Sequence, residues 1–523
     1  MNRAPDDGAD ALRRYHEVTK HSYQSVRTGP RGLDWANAPR KFKDYVGVEA
    51  VPLPAPTTTG VAAHEAIRRS HRPSTGGKLD LEALSSLAFF AAGVHAVKNR
   101  SWGDQAIRTY AAAGALYPDE LYVVTGELPG LPAGVYHYGP LEHALVPVRT
   151  GDLRGTLVAA AGGYPALAAA PATLVFTGIP WRTVWKYRTR GWRHLFWDAG
   201  MMLANLLAAC AARDLPAEVV VDFVDAEVNH LLAVDGRQEF ALTLVPVGDG
   251  AAAPPAEAVP AIRPDVVPLS PEEIADREIE GAQTASSRRA AGDIRRVRPI
   301  PAGGEGSTSS LPVTEVAAAA SGRLSVDSLE KVILRRGSTR RLAREPMPAA
   351  ELVALLDGAL GRFPADAGPG PLSALVIANA VEGLPPGAYR YLPPGVFVPV
   401  RRGEQRDSAA YLCLEQPLGG DAAAVVFVMA RLDDYLGALG GRGYRVAQLE
   451  AAVGGGRMYL GAYAQCLGCS GITFYDDEVA ALFGSDGWSP MLAVVVGPEG
   501  ARRSIRACRV ERERRLTGAA GPE

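Results

Sequence analysis

The sequence predicts an α+β protein built as two tandem, related domains that fold on each other as an intramolecular pseudo-dimer. Three internal matches predict it. Phe223 to Gly236 (FVDAEVNHLLAVDG) lies over Phe474 to Gly487 (FYDDEVAALFGSDG) without a gap, with seven of fourteen positions identical. Leu131 to Arg149 matches Leu384 to Arg402, and Arg68 to Arg72 (RRSHR) matches Arg336 to Arg340 (RGSTR). The matches keep their order at offsets of 251, 253 and 268 residues, too long for a solenoid and colinear as a duplicated domain would be. Two copies in one chain can build a site at their seam.

The elements follow in order. Residues 1–12 read as a disordered tail, and a polar, aromatic-studded lead-in runs on to residue 61. The first domain spans 62–248. Leu81 to Val94 has helical spacing with Asp80 as N-cap. Apolar runs at Glu120–Thr125, Val135–Tyr138, Thr173–Thr177 and Ala241–Val247 read as strands. Arg193 to Arg213 carries an apolar stripe at spacings of three and four, so it should be a central packing helix. Residues 249–323 turn rich in Ala, Pro and charge and end in AGGEGSTSS, a linker with a short helix near Pro271–Glu280. The second domain, 324–500, repeats the order with helices at Ala350–Leu360 and Arg445–Leu467 and a last strand at Leu492–Val496, before a tail at 501–523. Long helices mixed with hairpin strands give the α+β class.

The totals exclude some functions. Of 523 residues, 47% are hydrophobic and 21% charged, as in soluble globular proteins. A net charge of −2 offers neither nucleic acid nor an acidic membrane surface an evident partner. The start, MNRAPDDGAD, lacks the features of a secretory signal, and Ala199 to Ala212 is too short to span a bilayer. Five cysteines give no disulfide framework, so a cytoplasmic location is expected. Cys466 and Cys469 have redox-motif spacing but read as two small core residues on a buried helix. No histidine pair has metal-ligand spacing, so no bound metal is expected.

Arg-x-Ser-x-Arg at a helix start can cradle an anion through two guanidinium forks and a hydroxyl, with the helix dipole adding to the attraction. A single copy reads more simply as solvated surface charge, and its recurrence in both halves favours the anion. The basic stretch Arg182 to Arg193 reads as a pocket rim.

RRSHR and RGSTR resemble the flavin-phosphate arm of nitroreductase-like FMN enzymes. Ala113 to Val124 (AGALYPDELYVV) resembles the flavin loop of one branch, the azoline dehydrogenases of the SagB/ThcOx type. The lead-in, WKYRTRGWRHLFWDAG (Trp185 to Gly200) and GCSGITFYDDEV (Gly468 to Val479) are similar to other stretches of that branch. The resemblance implies two tandem nitroreductase-like domains, FMN as cofactor, and conversion of thiazolines or oxazolines in a peptide to thiazoles or oxazoles. It implies molecular oxygen as acceptor and a cyclodehydratase as partner, and leaves open a homodimer of pseudo-dimers. The loop usually reads Pro-Ser-Ala-Gly; here it is Ala111-Ala112-Ala113-Gly114, so a hydroxyl contact to flavin is missing and backbone N–H groups are left to serve.

Lys186, among Arg182, Arg188 and Arg190 and several tryptophans, should have a lowered pKa suited to a general base, with Tyr187 as its partner. A surface lysine beside a half-buried tyrosine is the plainer alternative. Alignment of RGWR (190–193) with RGYR (442–445) puts Ala438 and Leu439 opposite the pair, so the acid/base chemistry occurs once. The expected site is therefore a hybrid. Arg336, Ser338 and Arg340 meet the phosphate, and the Gly471 and Ile472 backbone lies near the ring. Ala112, Ala113, Gly114, Leu116 and Lys186 come from across the seam. The mirror arm, Arg68, Arg69, Ser70 and Arg72, would lack loop and base, giving one FMN per chain. An NAD(P)H-dependent nitroreductase or flavin reductase, or a non-catalytic scaffold in a peptide-modifying complex, are the alternatives.

Overall fold

The computed structural model describes residues 7–500 apart from 30–31, 75, 101–102, 251, 302–311, 318–325 and 485–486. The first domain holds a six-stranded sheet in the order 51–52, 144–150, 134–139, 119–125, 172–178, 240–247. The second holds seven strands in the order 468–472, 489–497, 424–430, 372–378, 387–392, 396–402, 314–315. Every pairing in both is antiparallel. Five consecutive strands of one sheet thus repeat five of the other, which is the duplication seen in three dimensions. Val, Ile, Leu and Phe fill these strands because both faces are covered.

The seam is made by two long helices, Gly191–Ala212 and Arg442–Ala464. Small residues let them approach: a Cβ on Gly200 would lie 2.4 Å from Ala452 Cβ, and one on Gly456 would lie 2.5 Å from Ala204 Cβ. Every residue of Gly191–Ala212 is buried. The helical run Pro180–Ala212 is long and apolar enough to cross a membrane, yet its most apolar window is wholly covered by protein, as in a core helix. Two shorter helices, Ala63–Arg69 and Leu329–Arg335, begin side by side. Ala63 N donates to Asp327 O at 3.0 Å and Leu329 N to Val61 O at 2.9 Å, a reciprocal pair about the pseudo-twofold. Each helix ends in one RxSxR arm, so the arms lie at helix C-termini and not at the helix start expected from the sequence, and the dipole there does not favour an anion.

Several expectations are corrected. Ala9–Val18 is a helix and not part of a disordered tail, because Leu12, Tyr15 and His16 bury one face at the seam. The helix expected at Pro271–Glu280 is Arg277–Ser286, started where the Asp276 side chain accepts the Glu278 and Ile279 N–H groups. This part of the expected linker is packed: Gln283, Ser286 and Arg288 are buried, and Arg288 Nε donates to Asp222 Oδ1 at 2.6 Å. Asp80 does cap the helix from Leu81, but that helix ends at Ala92. Val94–Arg100 and Gly103–Arg108 form a hairpin the sequence reading missed. Cys466 is exposed in a left-handed conformation past the second long helix, and Cys469 is buried on a strand, so the pair does not share a helix. Residues 1–6, the AGGEGSTSS stretch, residue 324 where the second domain was expected to start and the tail at 501–523 lie outside the described residues.

Candidate active site

Helix Pro180–Tyr187 starts with proline at its first position, where the missing N–H costs nothing, and ends where Arg188 turns left-handed. Its last two residues are Lys186 and Tyr187. Facing them is the loop from Tyr110 to Tyr117, in which Gly114, Ala115 and Tyr117 all have positive φ (62°, 53° and 51°). Strain of this kind persists where the surroundings hold it. The hold is visible: Ala113 N donates to both oxygens of buried Asp198, at 3.0 and 3.1 Å. A Cβ on Gly114 would lie 2.8 Å from Tyr187 Oη and 2.9 Å from Lys186 Nζ, so a side chain there would push both of those ends aside.

The second domain contributes the cations. Arg336 is buried, and its Nε donates to Thr109 O at 3.2 Å and its Nη2 to Arg108 O at 3.4 Å, both across the seam. No carboxylate neutralises it among the described residues. Ser338 Oγ lies 3.4 Å from Tyr459 Oη, which accepts the Gly471 N–H at 2.5 Å, so the arm and the Gly471–Ile472 backbone are tied together. Arg340 is exposed and makes no ion pair or hydrogen bond among the described residues. Lys186 is exposed and Tyr187 half-buried, as in the plainer alternative, yet partial desolvation, and after it the Arg340 charge, pushes the Lys186 ammonium below its usual pKa. Burial and the Lys186 charge do the same to Lys41 in the lead-in. Among the described residues none of these cations pairs with a carboxylate, so the site is a cluster of positive charge, which suits an anion.

The direction of the Lys186 shift matches the sequence reading, but its causes do not. Arg182 is buried against Glu120 at 2.6 Å, and Arg190 and Arg193 are buried against Asp476 at 2.9 and 3.0 Å. These arginines are internal struts and not the rim of a pocket. Leu116 is buried beneath the loop, while Ala112 is partly covered. Lys41, His194 and Asp198 went unread. The last two had a signal: with Asn205 they are polar residues on one face of an otherwise apolar helix.

The mirror arm is closed. Arg68 and Arg69 are both paired with Glu65, at 2.7 and 2.8 Å, and Ser70 Oγ donates to Ile67 O at 2.7 Å. Arg72 is exposed. Arg457 Nη2 donates to Ser70 O at 3.4 Å. Tyr435 fills the space beside Gly370, where a Cβ would lie 2.1 Å from its ring, and its hydroxyl donates to Glu450 at 2.8 Å. The structure therefore joins Arg336, Ser338, Arg340, Gly471 and Ile472 to Ala112, Ala113, Gly114, Leu116, Lys186 and Tyr187. It leaves Arg68, Arg69, Ser70 and Arg72 apart from them.

A family model described as the nitroreductase family matches residues 66–249 and again 333–498. The chain belongs to the nitroreductase family. Members of that family are oxidoreductases, and the two matched regions are its two domains. One nitroreductase relative, MJ1384 of Methanocaldococcus jannaschii, is 31% identical over 181 residues, which cover 35% of this chain and 86% of that protein. The microcin B17-processing protein McbC of Escherichia coli is 31% identical over 147 residues, 27% of this chain and 54% of McbC, about half its length. A solved nitroreductase structure from Anabaena variabilis superposes with a TM-score of 0.75 at 26% identity. The match covers 94% of this chain and 99% of that one, so the tandem architecture recurs as a whole.

Proposed function

We propose that this nitroreductase-family oxidoreductase binds one FMN per chain at the hybrid site and oxidises azoline rings in a peptide to azoles. The observation that carries the reading is the meeting, across the seam, of an unneutralised cationic arm with the single Lys186–Tyr187 pair. The residues fit the cofactor. Arg336, Ser338 and Arg340 would hold the phosphate, and the Gly471–Ile472 backbone and the loop from Ala112 to Leu116 would border the ring. When bound, FMN supplies the hydride acceptor.

The chain's own residues do the rest. Lys186 takes the proton from the ring carbon next to the carbonyl, while the hydride leaves the neighbouring carbon. Loss of both makes the ring aromatic. A lowered ammonium pKa favours the neutral amine that this step needs. Tyr187 stays a phenol, because burial first, and then Asp198, raise its pKa, so it can donate a hydrogen bond to the substrate. The similarity of the chain to McbC, named for the processing of microcin B17, supports a peptide substrate; a cyclodehydratase partner and molecular oxygen to restore the oxidised cofactor complete the proposal.

The test is to incubate the purified, flavin-loaded chain with an azoline-bearing peptide in air and follow mass. Loss of two hydrogens per ring is expected. Rapid bleaching by NADPH alone, with no change in the peptide, would favour the flavin reductase. A colourless protein that takes up no FMN would favour the scaffold.

A further inference from the structure

Three buried groups, Asp198, Asp119 and the Tyr110 hydroxyl, belong to or flank the loop from Tyr110 to Tyr117 and touch no reacting atom in the chemistry above. Asp198 is 3% exposed, and its oxygens accept only the Ala113 N–H among the described residues. Asp119 is fully buried with both carboxyl oxygens lacking a hydrogen-bond partner, and the Tyr110 hydroxyl is in the same state. Burial pushes both carboxyls well above the ordinary carboxylate range, joined at Asp119 by the Asp198 charge and opposed at Asp198 by the Ala113 N–H. An apolar side chain would avoid the cost altogether. A carboxyl at 198 is explained by what it grips.

Seven residues further along the same helix, two turns on and on the same face, Asn205 Nδ2 donates to Thr109 O and Phe90 O, each at 3.1 Å. Asp198 and Asn205 therefore hold the two ends of one loop, at Ala113 N and at Thr109 O. The second long helix repeats the arrangement. Glu450 accepts Gly370 N at 3.1 Å, and Arg457 donates to Gly361 O and Arg362 O at 3.0 and 3.1 Å. The clamp belongs to both halves. Only in the first half does the clamped loop carry a glycine beneath a lysine and a tyrosine.

We propose that Asp198 is a positioning residue of the active site: by holding the Ala113 N–H it fixes Gly114 under Lys186 Nζ and Tyr187 Oη and sets where those two ends point. The proposal rests on the hybrid site described above. It requires an acceptor at position 198 and not a charge, so an amide oxygen serves as well as a carboxyl.

The experiment compares Asp198→Ala and Asp198→Asn in the FMN-loaded protein, by hydrogen exchange of the amides of residues 111–116 and by flavin content. Asp198→Ala should keep its flavin, because the phosphate arm is elsewhere, yet exchange these amides about tenfold faster or more. It should also lose kcat with KM little changed. Asp198→Asn should restore slow exchange and turnover. Unchanged loop exchange in Asp198→Ala, or exchange in Asp198→Asn as fast as in the alanine variant, overturns the proposal. If Asp198→Ala does not fold, Asp198→Asn decides: wild-type exchange and turnover are expected, and fast loop exchange refutes the clamp. Exchange is read without substrate, so a failure of azoline oxidation would remove the proposed reaction and leave this test standing.

Discussion

The Tyr187 ring lies flat on His194, with centroids 4.2 Å apart and planes 10° from parallel. Burial, joined by the Arg190 charge, pushes His194 well below its ordinary pKa, so the tyrosine rests on a neutral plate. Position in this pair comes from stacking, and chemistry from the hydroxyl and from Lys186 beside it.

The pair can be separated by substitution. Lys186→Ala should keep the bound flavin and lower azoline oxidation by about 10²- to 10⁴-fold, the usual cost of losing a general base. Tyr187→Phe keeps the stacked ring and should be milder. Single-turnover kinetics on the two variants check this, and a Lys186→Ala rate near wild type rules the lysine out as the base.

The two arms should differ in their effect on flavin. A charged phosphate contact contributes about 1.5–3 kcal/mol, so Arg340→Ala should weaken FMN binding by about tenfold or more. Arg72→Ala should leave it unchanged, because its neighbours Arg68 and Arg69 are neutralised by Glu65 and Tyr435 fills the space beside Gly370 in the mirror loop. Titration followed by absorbance should also reach one FMN per chain. Two per chain, or flavin loss on changing Arg72 alone, contradicts the hybrid assignment.

Stability should fall as pH rises through neutrality. Burial lifts the Glu450 carboxyl to about 7, well above the unfolded value of about 4.3, so between these limits the folded state holds the extra proton. The stability this gives is complete below the unfolded pKa and is lost as pH climbs through 7. By linkage it amounts to at most about 4 kcal/mol. Glu450→Gln keeps an oxygen for Gly370 N and removes the titration. Its Tm should drop less than that of wild type between pH 5 and pH 8, and an equal drop would show that Glu450 is not responsible.

Gly200 tests the seam. In Gly200→Val the added Cβ would meet Ala452 Cβ at 2.4 Å and the backbone between Ala452 and Val453 at 2.9 Å. The long helices must part, at a cost of about 1–3 kcal/mol or more. A lowered Tm with a weakened flavin complex is expected, since the arm and the loop sit on opposite sides of that contact. A variant as stable as wild type would mean that the helices repack freely.

The duplication and the long helices were legible because each leaves a local mark, FVDAEV against FYDDEV and apolar residues at helical spacing; the residues of the candidate site stand out as RxSxR twice and Lys-Tyr once. What stayed hidden depended on partners remote in sequence. Arg182, Arg190 and Arg193 look like a basic rim until Glu120 and Asp476 fold onto them. Ala9 to Leu12 read as a tail because the surface that receives Leu12 is formed by distant residues. The Val94–Arg108 hairpin was missed because its strands are half exposed and carry no long apolar run. His194 and Asp198 were readable as polar residues on an apolar helix, and the attention given to their apolar neighbours obscured them.

Because both halves of the site belong to one covalent chain, its assembly does not depend on protein concentration. An arm and a loop on separate subunits part when diluted below their dissociation constant. Here the connecting segment keeps them at an effective concentration of about millimolar, whatever the number of molecules in solution. The site would then remain complete at the scarcity of a rarely expressed enzyme. No exchange of subunits could mix an active half with a damaged one.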